Sequence, residues 1–176
     1  IRRLKDDELD LPPKTRVHIT LDVKPSKLKA LNETKTELAS LGFSKDDMFK
    51  RQMLISRCFC LTGEAKADST AKWVCDAAQS GEPFIVFAHH KVVLDKIQSE
   101  LEAIGVTHMR IDGSVNVEER ARRAEQFQSG EVQVAVLSLL AAGTGLTLTR
   151  TCTVVFAELY WVPGVILQAE DRAHRV

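Results

Sequence analysis

FIVFAHHKVVLDKIQSELEAIGVTHMRIDGS, residues 84–114 of a 176-residue chain, contains a complete strand–helix–strand unit. Phe84 to Ala88 is an unbroken apolar run, the pattern of a strand buried on both faces. Lys91 to Ile104 places Val93, Leu94, Ile97, Leu101 and Ile104 at helical spacing, and Gly105 closes that helix. Thr107 to Ile111 is a second strand, ended by Asp112-Gly113-Ser114. The alternation continues toward the C-terminus. A polar helix is predicted over 118–128, strands over 132–137 and 152–156, and a last helix from Pro163-Gly164. Strands alternating with helices predict an α/β fold, a parallel sheet with helices on both faces. In such sheets ligands are met beyond the carboxyl ends of the strands.

Toward the N-terminus the pattern changes. Leu11-Pro12-Pro13 interrupts any helix. From Thr15 to Val23 polar and apolar residues alternate, with Val17, Ile19, Leu21 and Val23 on one face, which predicts a half-buried strand. Pro25-Ser26 opens a helix with Leu28, Leu31, Leu38 and Leu41 as its stripe and Gly42 as its stop. Two further helices are predicted. One spans 46–56, with Met48, Phe49, Met53 and Leu54 inward; the other spans 62–80, with Ala65, Trp73, Val74 and Ala77 available for burial.

Composition excludes several classes. Apolar residues are 44% and charged residues 27%, ordinary globular usage. No apolar run is long enough to span a membrane, so no membrane partner is expected. The 24 basic and 24 acidic residues cancel, so any nucleic-acid contact must be a local strip. Cys58, Cys60, Cys75 and Cys152 lack the paired spacing of a zinc site. They predict reduced, mostly buried thiols and no metal centre.

The chemistry-bearing residues cluster after the strands. Gln168, Arg172 and Arg175 are spaced by four and three, so a helix would carry them on one face. Two guanidinium forks at fixed separation suit a phosphate chain. Local pairing of Asp171 with Arg175 is the plainer alternative. Gly143-Thr144-Gly145 permits close approach of backbone to a ligand, or simply a tight loop. Asp112-Gly113-Ser114 could hold a phosphate or shape a turn. His89-His90-Lys91 presents polar tips at the same sheet edge, with a solvated helix start as the plain reading of His90. No Gly-x-x-x-x-Gly-Lys-[Ser/Thr] is present, so the chain has no phosphate-cradling P-loop of its own.

The order of these blocks carries a family resemblance. Phe84–Ala88 with His89-His90 comes first, then Ile111–Ser114 with Glu119-Arg120 and Gln126-Phe127. Leu137-Ser-Leu-Leu-Ala-Ala-Gly-Thr-Gly-Leu-Thr-Leu-Thr149 and Gln168-Ala-Glu-Asp-Arg-Ala-His-Arg175 follow. Together they resemble motifs IV, IVa, V and VI of the second RecA-like lobe of superfamily 2 helicases of the SWI/SNF type. Ile1-Arg-Arg-Leu-Lys5 with Leu11-Pro-Pro-Lys14 is similar to that family's stretch between the lobes. Phe87–Asp95, His108–Ser114 and Val155–Trp161 are similar to the HepA-related (HARP-like) annealing helicases, which rewind DNA and remodel stalled forks.

The resemblance implies three segments: an interlobe strand or linker over 1–23, a helical appendage over 24–80, and a RecA-like lobe over 81–176 that is truncated at its C-terminus. It implies that Arg172 and Arg175 act as arginine fingers on ATP, and that Gln168 and Gly145 line the nucleotide cleft. It places His89, Lys91, Gly113, Ser114 and Ser138 on the DNA-tracking surface, with Arg120 supporting it. The cofactor implied is ATP with Mg2+, the metal held mainly by a first lobe absent from this sequence. The partners implied are duplex or forked DNA, bound through its backbone, and that first lobe. Departures are Leu139 and Leu140 where the branch often has Thr and Lys, and Val162 for the usual Asn or Asp.

The expectation is therefore one lobe of an ATP-dependent DNA translocase, with roles in DNA repair at the replication fork and a nuclear location. Without the P-loop lobe this fragment should be inactive. Substrate choice within the branch would lie in appended domains, so a nucleosome-sliding remodeller is an alternative. An RNA helicase lobe is disfavoured by Asp171-Arg-x-His-Arg175. Retention of both motif VI arginines stands against a non-catalytic interaction scaffold.

Overall fold

A computed structural model describes residues 13–141 and 148–173. The elements, in chain order, are α1 (Pro25–Ser40), α2 (Lys45–Ala78), β1 (Phe84–Ala88), α3 (Lys91–Ala103), β2 (His108–Ile111), α4 (Val117–Ser129), β3 (Val134–Ser138), β4 (Val154–Phe156) and α5 (Pro163–Glu170). The four strands form one sheet in the order β2-β3-β1-β4, and every pairing is parallel. Ile85 stands between Ala135 and Val154, which makes β1 an interior strand. β1 and β3 are buried along their whole length, as continuous apolar runs require.

Both faces are covered. On one, Val86, Val134 and Val136 meet Ala71 and Val74 of α2 and Val93, Ile97 and Leu101 of α3. On the other, Ile85, Phe87, Ala135 and Leu137 meet Phe127 of α4, Leu148, and Ala169 of α5. The period-two alternation of strand side chains thus sorts one apolar run into two cores.

Three expectations change N-terminal to the sheet. Residues 13–24 form no strand: Val17 is 79% exposed and Ile19 50%, so the alternating apolar residues do not share a buried face. This extended strap is held by its cations instead, as described below. The two helices expected over 46–56 and 62–80 are one continuous helix of 34 residues. It starts in a capping box, where the Asp47 N–H donates to Ser44 Oγ and the Ser44 N–H donates to Asp47 Oδ2. Met48, Phe49 and Met53 are exposed rather than inward, because the first turns of α2 pack against α1 and extend past the sheet, and Leu54 alone of the four is buried. Trp73 and Ala77, further along α2, do pack against the first core. The thiols also differ from expectation: all four are free, but Cys60 and Cys152 are exposed and only Cys75 is buried.

Candidate functional site

Because the strands are parallel, their carboxyl ends meet at one edge. Ala88 lies beside Ser138, Ile111 beside Leu137, and Phe87 beside Phe156. The turns that leave this edge carry His89-His90-Lys91, Asp112-Gly113-Ser114 and Glu158, and Ser138 is buried at the end of β3.

The Asp112 turn is built locally. Asp112 Oδ1 accepts from the Ser114 N–H at 2.9 Å and from the Ser114 hydroxyl. Those bonds, with the Arg110 guanidinium 2.8 Å from Oδ2, hold the Asp112 carboxyl below the usual carboxylate range. Arg110 also donates to Asp95 at 2.6 Å. Arg120 spends Nε on the Val115 carbonyl at 2.7 Å and Nη2 on the Asp112 carbonyl at 3.2 Å, so it braces the turn from behind. Gly113 and Ser114 are left exposed at the tip. Asn116 caps α4 by accepting from the Glu119 N–H at 2.8 Å. Bonds from Arg122 and Arg123 push the Glu119 carboxyl down to about 2.

The turn after β1 is held from a distance. Glu158 is 2% exposed. Its Oε2 accepts the backbone N–H groups of His89 and His90, both at 2.8 Å, and its Oε1 lies 2.6 Å from His90 Nδ1. A carboxylate only accepts, so that ring nitrogen carries the hydrogen. The N-terminal end of α3 is therefore capped by a side chain from β4's exit, not by its own N-cap residue, which makes no side-chain cap bond. His90 is accordingly a half-buried hydrogen-bond partner of Glu158, not a solvated helix start. Gly63 of α2 makes this arrangement possible: a Cβ there would stand 2.6 Å from Glu158 Oε1 and 2.8 Å from His90 Nδ1. Burial lowers Lys66, one helical turn along, against the attraction of Glu158.

Aromatic rings close over the cluster. Phe59 lies 4.6 Å from the His90 ring, 5.2 Å from His89 and 4.8 Å from Trp161, and His89 lies 4.8 Å from Tyr160. Burial, with His90 beside it, lowers the His89 pKa, which keeps that ring neutral at pH 7. Lys91 is exposed just beyond. Sequence reasoning missed Glu158 and Gly63. The available signal was an acid directly after an apolar strand, at the edge where two histidines also emerge.

The C-terminal block is shorter as a helix than its spacing suggested. α5 ends at Glu170, and the chain tightens: the Asp171 N–H reaches the Leu167 carbonyl at 3.0 Å, but the Arg172 N–H reaches Ala169 at 3.1 Å. Gln168 is exposed, and Arg172 sits in the tightened turn, its carbonyl accepting from the Leu148 N–H at 3.2 Å. Arg175 and Gly145 lie outside the described residues, as does the Asp171–Arg175 pair. Leu139 is buried and Leu140 is 57% exposed. Among the described residues no group of three His, Cys, Asp or Glu side chains could hold a metal ion.

The strap of residues 13–24 runs against this turn. Arg16 grips Glu170 with both Nε and Nη2 at 2.8 Å. Lys14 Nζ lies 3.2 Å from Glu170 and 2.9 Å from Asp171. The Arg16 bond, with Lys14 beside it, holds the Glu170 carboxyl below its ordinary range. None of these partners was anticipated from the sequence.

Residues 65–176 match the helicase conserved C-terminal domain. The chain belongs to that family. Its parallel four-stranded sheet is the fold of a second, RecA-like lobe, and the proteins it resembles include SWI/SNF-related ones. It is 43% identical over its whole length to the SWI/SNF-related matrix-associated actin-dependent regulator of chromatin subfamily A-like protein 1 of Xenopus tropicalis, of which it covers 19%. It is 42% identical, again over its whole length, to the DNA annealing helicase and endonuclease ZRANB3 of Mus musculus, of which it covers 17%. The fold is that of the Sulfolobus solfataricus SWI2/SNF2 ATPase C-terminal domain, with a TM-score of 0.68 at 15% identity, over 82% of this chain and 72% of that one. The chain thus spans about a fifth of the length of these curated relatives.

Proposed function

We propose that this lobe belongs to an ATP-driven DNA translocase of the annealing-helicase kind, acting in the nucleus on forked or duplex DNA in DNA repair. The observation that carries this reading is similarity, over the whole of this chain, to part of a relative named as a DNA annealing helicase, on a lobe that retains the Gln168-Ala-Glu-Asp-Arg-Ala-His-Arg175 block. ATP with Mg2+, when bound between two lobes, supplies the phosphoanhydride whose hydrolysis drives movement. Gln168 and Arg172, with Gly145 and Arg175, are the residues of this chain that would face it. A permanently charged guanidinium held there stabilises charge developing on the phosphates, a contribution of about 10³–10⁵ in rate for an arginine finger.

The DNA contacts proposed are Lys91, the exposed Gly113-Ser114 tip and Ser138, with His89 beside them. Arg120 acts by holding the Asp112 turn. Lysine, hydroxyl and backbone N–H groups engage phosphates and carry no sequence information. Binding is therefore expected to be indifferent to sequence and to weaken with salt.

The test is ATP hydrolysis by the complete parent protein without DNA and with duplex, forked DNA and nucleosomes, at one salt concentration. Strongest stimulation by forks is the expected result. Preference for nucleosomes would favour a chromatin remodeller, and no stimulation by any DNA would favour a scaffold. In the same assay, Arg172→Ala and Arg175→Ala should each abolish DNA-stimulated turnover with ATP binding largely retained. Near-normal turnover would refute the assignment.

A further inference from the structure

α5 has only eight residues, and its N-cap Val162 makes no side-chain cap bond, so little in the helix itself fixes its orientation. Ala169 and Ala173 anchor one side in the second core. Glu170 lies two residues from both Gln168 and Arg172. Within α5 two residues turn roughly 200° around the helix, so Glu170 stands on the side opposite Gln168, and Arg172 follows in the tightened turn at the helix exit. There the strap takes hold, through the two-pronged Arg16 contact and Lys14. The strap is itself tied further along to α2, where the Asp22 carbonyl accepts from Ser69 Oγ, and just beyond it Lys27 of α1 lies 3.3 Å from Asp68. A chain segment more than 150 residues away in sequence thus fixes the back of the helix whose front carries Gln168 and whose exit turn carries Arg172.

We infer that Lys14 and Arg16 are positioning residues, which through Glu170 set the orientation of Gln168 and Arg172 toward the nucleotide. This rests on the reading of Arg172 given above. Both cations act from behind and touch no reacting group. Two parallel donors from a rigid guanidinium fix direction as well as distance, which a single lysine contact does not. Misplacement of a group that acts in the transition state reduces turnover more than ground-state binding.

The experiment uses the complete parent protein with saturating duplex DNA. Arg16→Glu should lower kcat by about tenfold or more, with KM for ATP and duplex affinity changed by less than about twofold. Combining it with Glu170→Arg should bring kcat back to within about threefold of the unmodified protein. Arg16→Ala, which brings no like charges together, should lower kcat in the same direction with the unfolding temperature unchanged. Wild-type kcat in Arg16→Glu and Arg16→Ala would overturn the inference. So would an exchanged pair as poor as Arg16→Glu alone. Arg172→Ala, run alongside, separates the two readings. If Arg172→Ala is inactive while Arg16→Glu is normal, only the positioning role falls; if Arg172→Ala is fully active, the functional reading falls with it.

Discussion

Asp112 and Glu158 do the same work at one sheet edge by opposite means. Each is a carboxylate that accepts from backbone N–H at the exit of a strand, one group for Asp112 and two for Glu158. Asp112 serves its own turn, two residues away, and is shared with Arg110 at a partly exposed rim. Glu158 serves a turn 68 and 69 residues earlier, and is itself buried beneath Phe59 and α2. The local anchor can be lost with damage confined to its turn. The distant one joins β1, β4, α2 and α3, so its loss spreads.

The largest effect should therefore follow Glu158→Ala, which leaves two N–H groups and the His90 ring buried without their acceptor. A loss of about 3 kcal/mol or more is expected in denaturant unfolding of this chain, at roughly 1–3 kcal/mol for each donor left unpaired. Under 1 kcal/mol would mean that water replaces the carboxylate, and the contrast with Asp112 would vanish. Gly63→Ala should cost less, about 1–3 kcal/mol, because a methyl at 2.6 Å from Glu158 Oε1 forces the pair apart. The two substitutions together should cost less than their sum, since both act on one contact. Strict additivity would break the link drawn between them.

Asp112→Ala sharpens the comparison from the other side, at about 1 kcal/mol. Its carboxyl is held below the usual range in the folded chain, so its contribution is present above the unfolded value and is lost as pH falls through the folded one. The difference between Asp112→Ala and the unmodified chain should thus be full at pH 7 and shrink below about pH 4. An Asp112→Ala difference independent of pH would show that the charge is not what holds the turn.

The same contrast explains what was legible in the sequence. Asp112-Gly113-Ser114 announces a turn because its partners are neighbours. β1 and β3 were legible because burial on both faces leaves continuous apolar runs at Phe84–Ala88 and Val134–Leu137. Glu158 was not legible, because nothing in a linear reading couples it to His90. The strap misled in a different way. Thr15 to Val23 alternates like a strand, but no neighbouring strand pairs with it among the described residues, and its informative side chains are Lys14 and Arg16. Met48, Phe49 and Met53 follow a helical stripe that was read as a core face. The helix was real, and the face is solvated where α2 extends past the sheet.

That extension has a mechanical consequence. α2 is one unbroken rod of 34 residues, about 50 Å long, clamped to the sheet only through its second half. Gly63 and Phe59 lie near the fulcrum, against Glu158 and His90. A tilt of about 5° at that point would carry the Ser44 end through some 2–3 Å, since roughly 25 Å of helix projects beyond it. On the arm that bears Met48, a small tilt arising at the carboxyl edge of the sheet would therefore be magnified with distance from that edge.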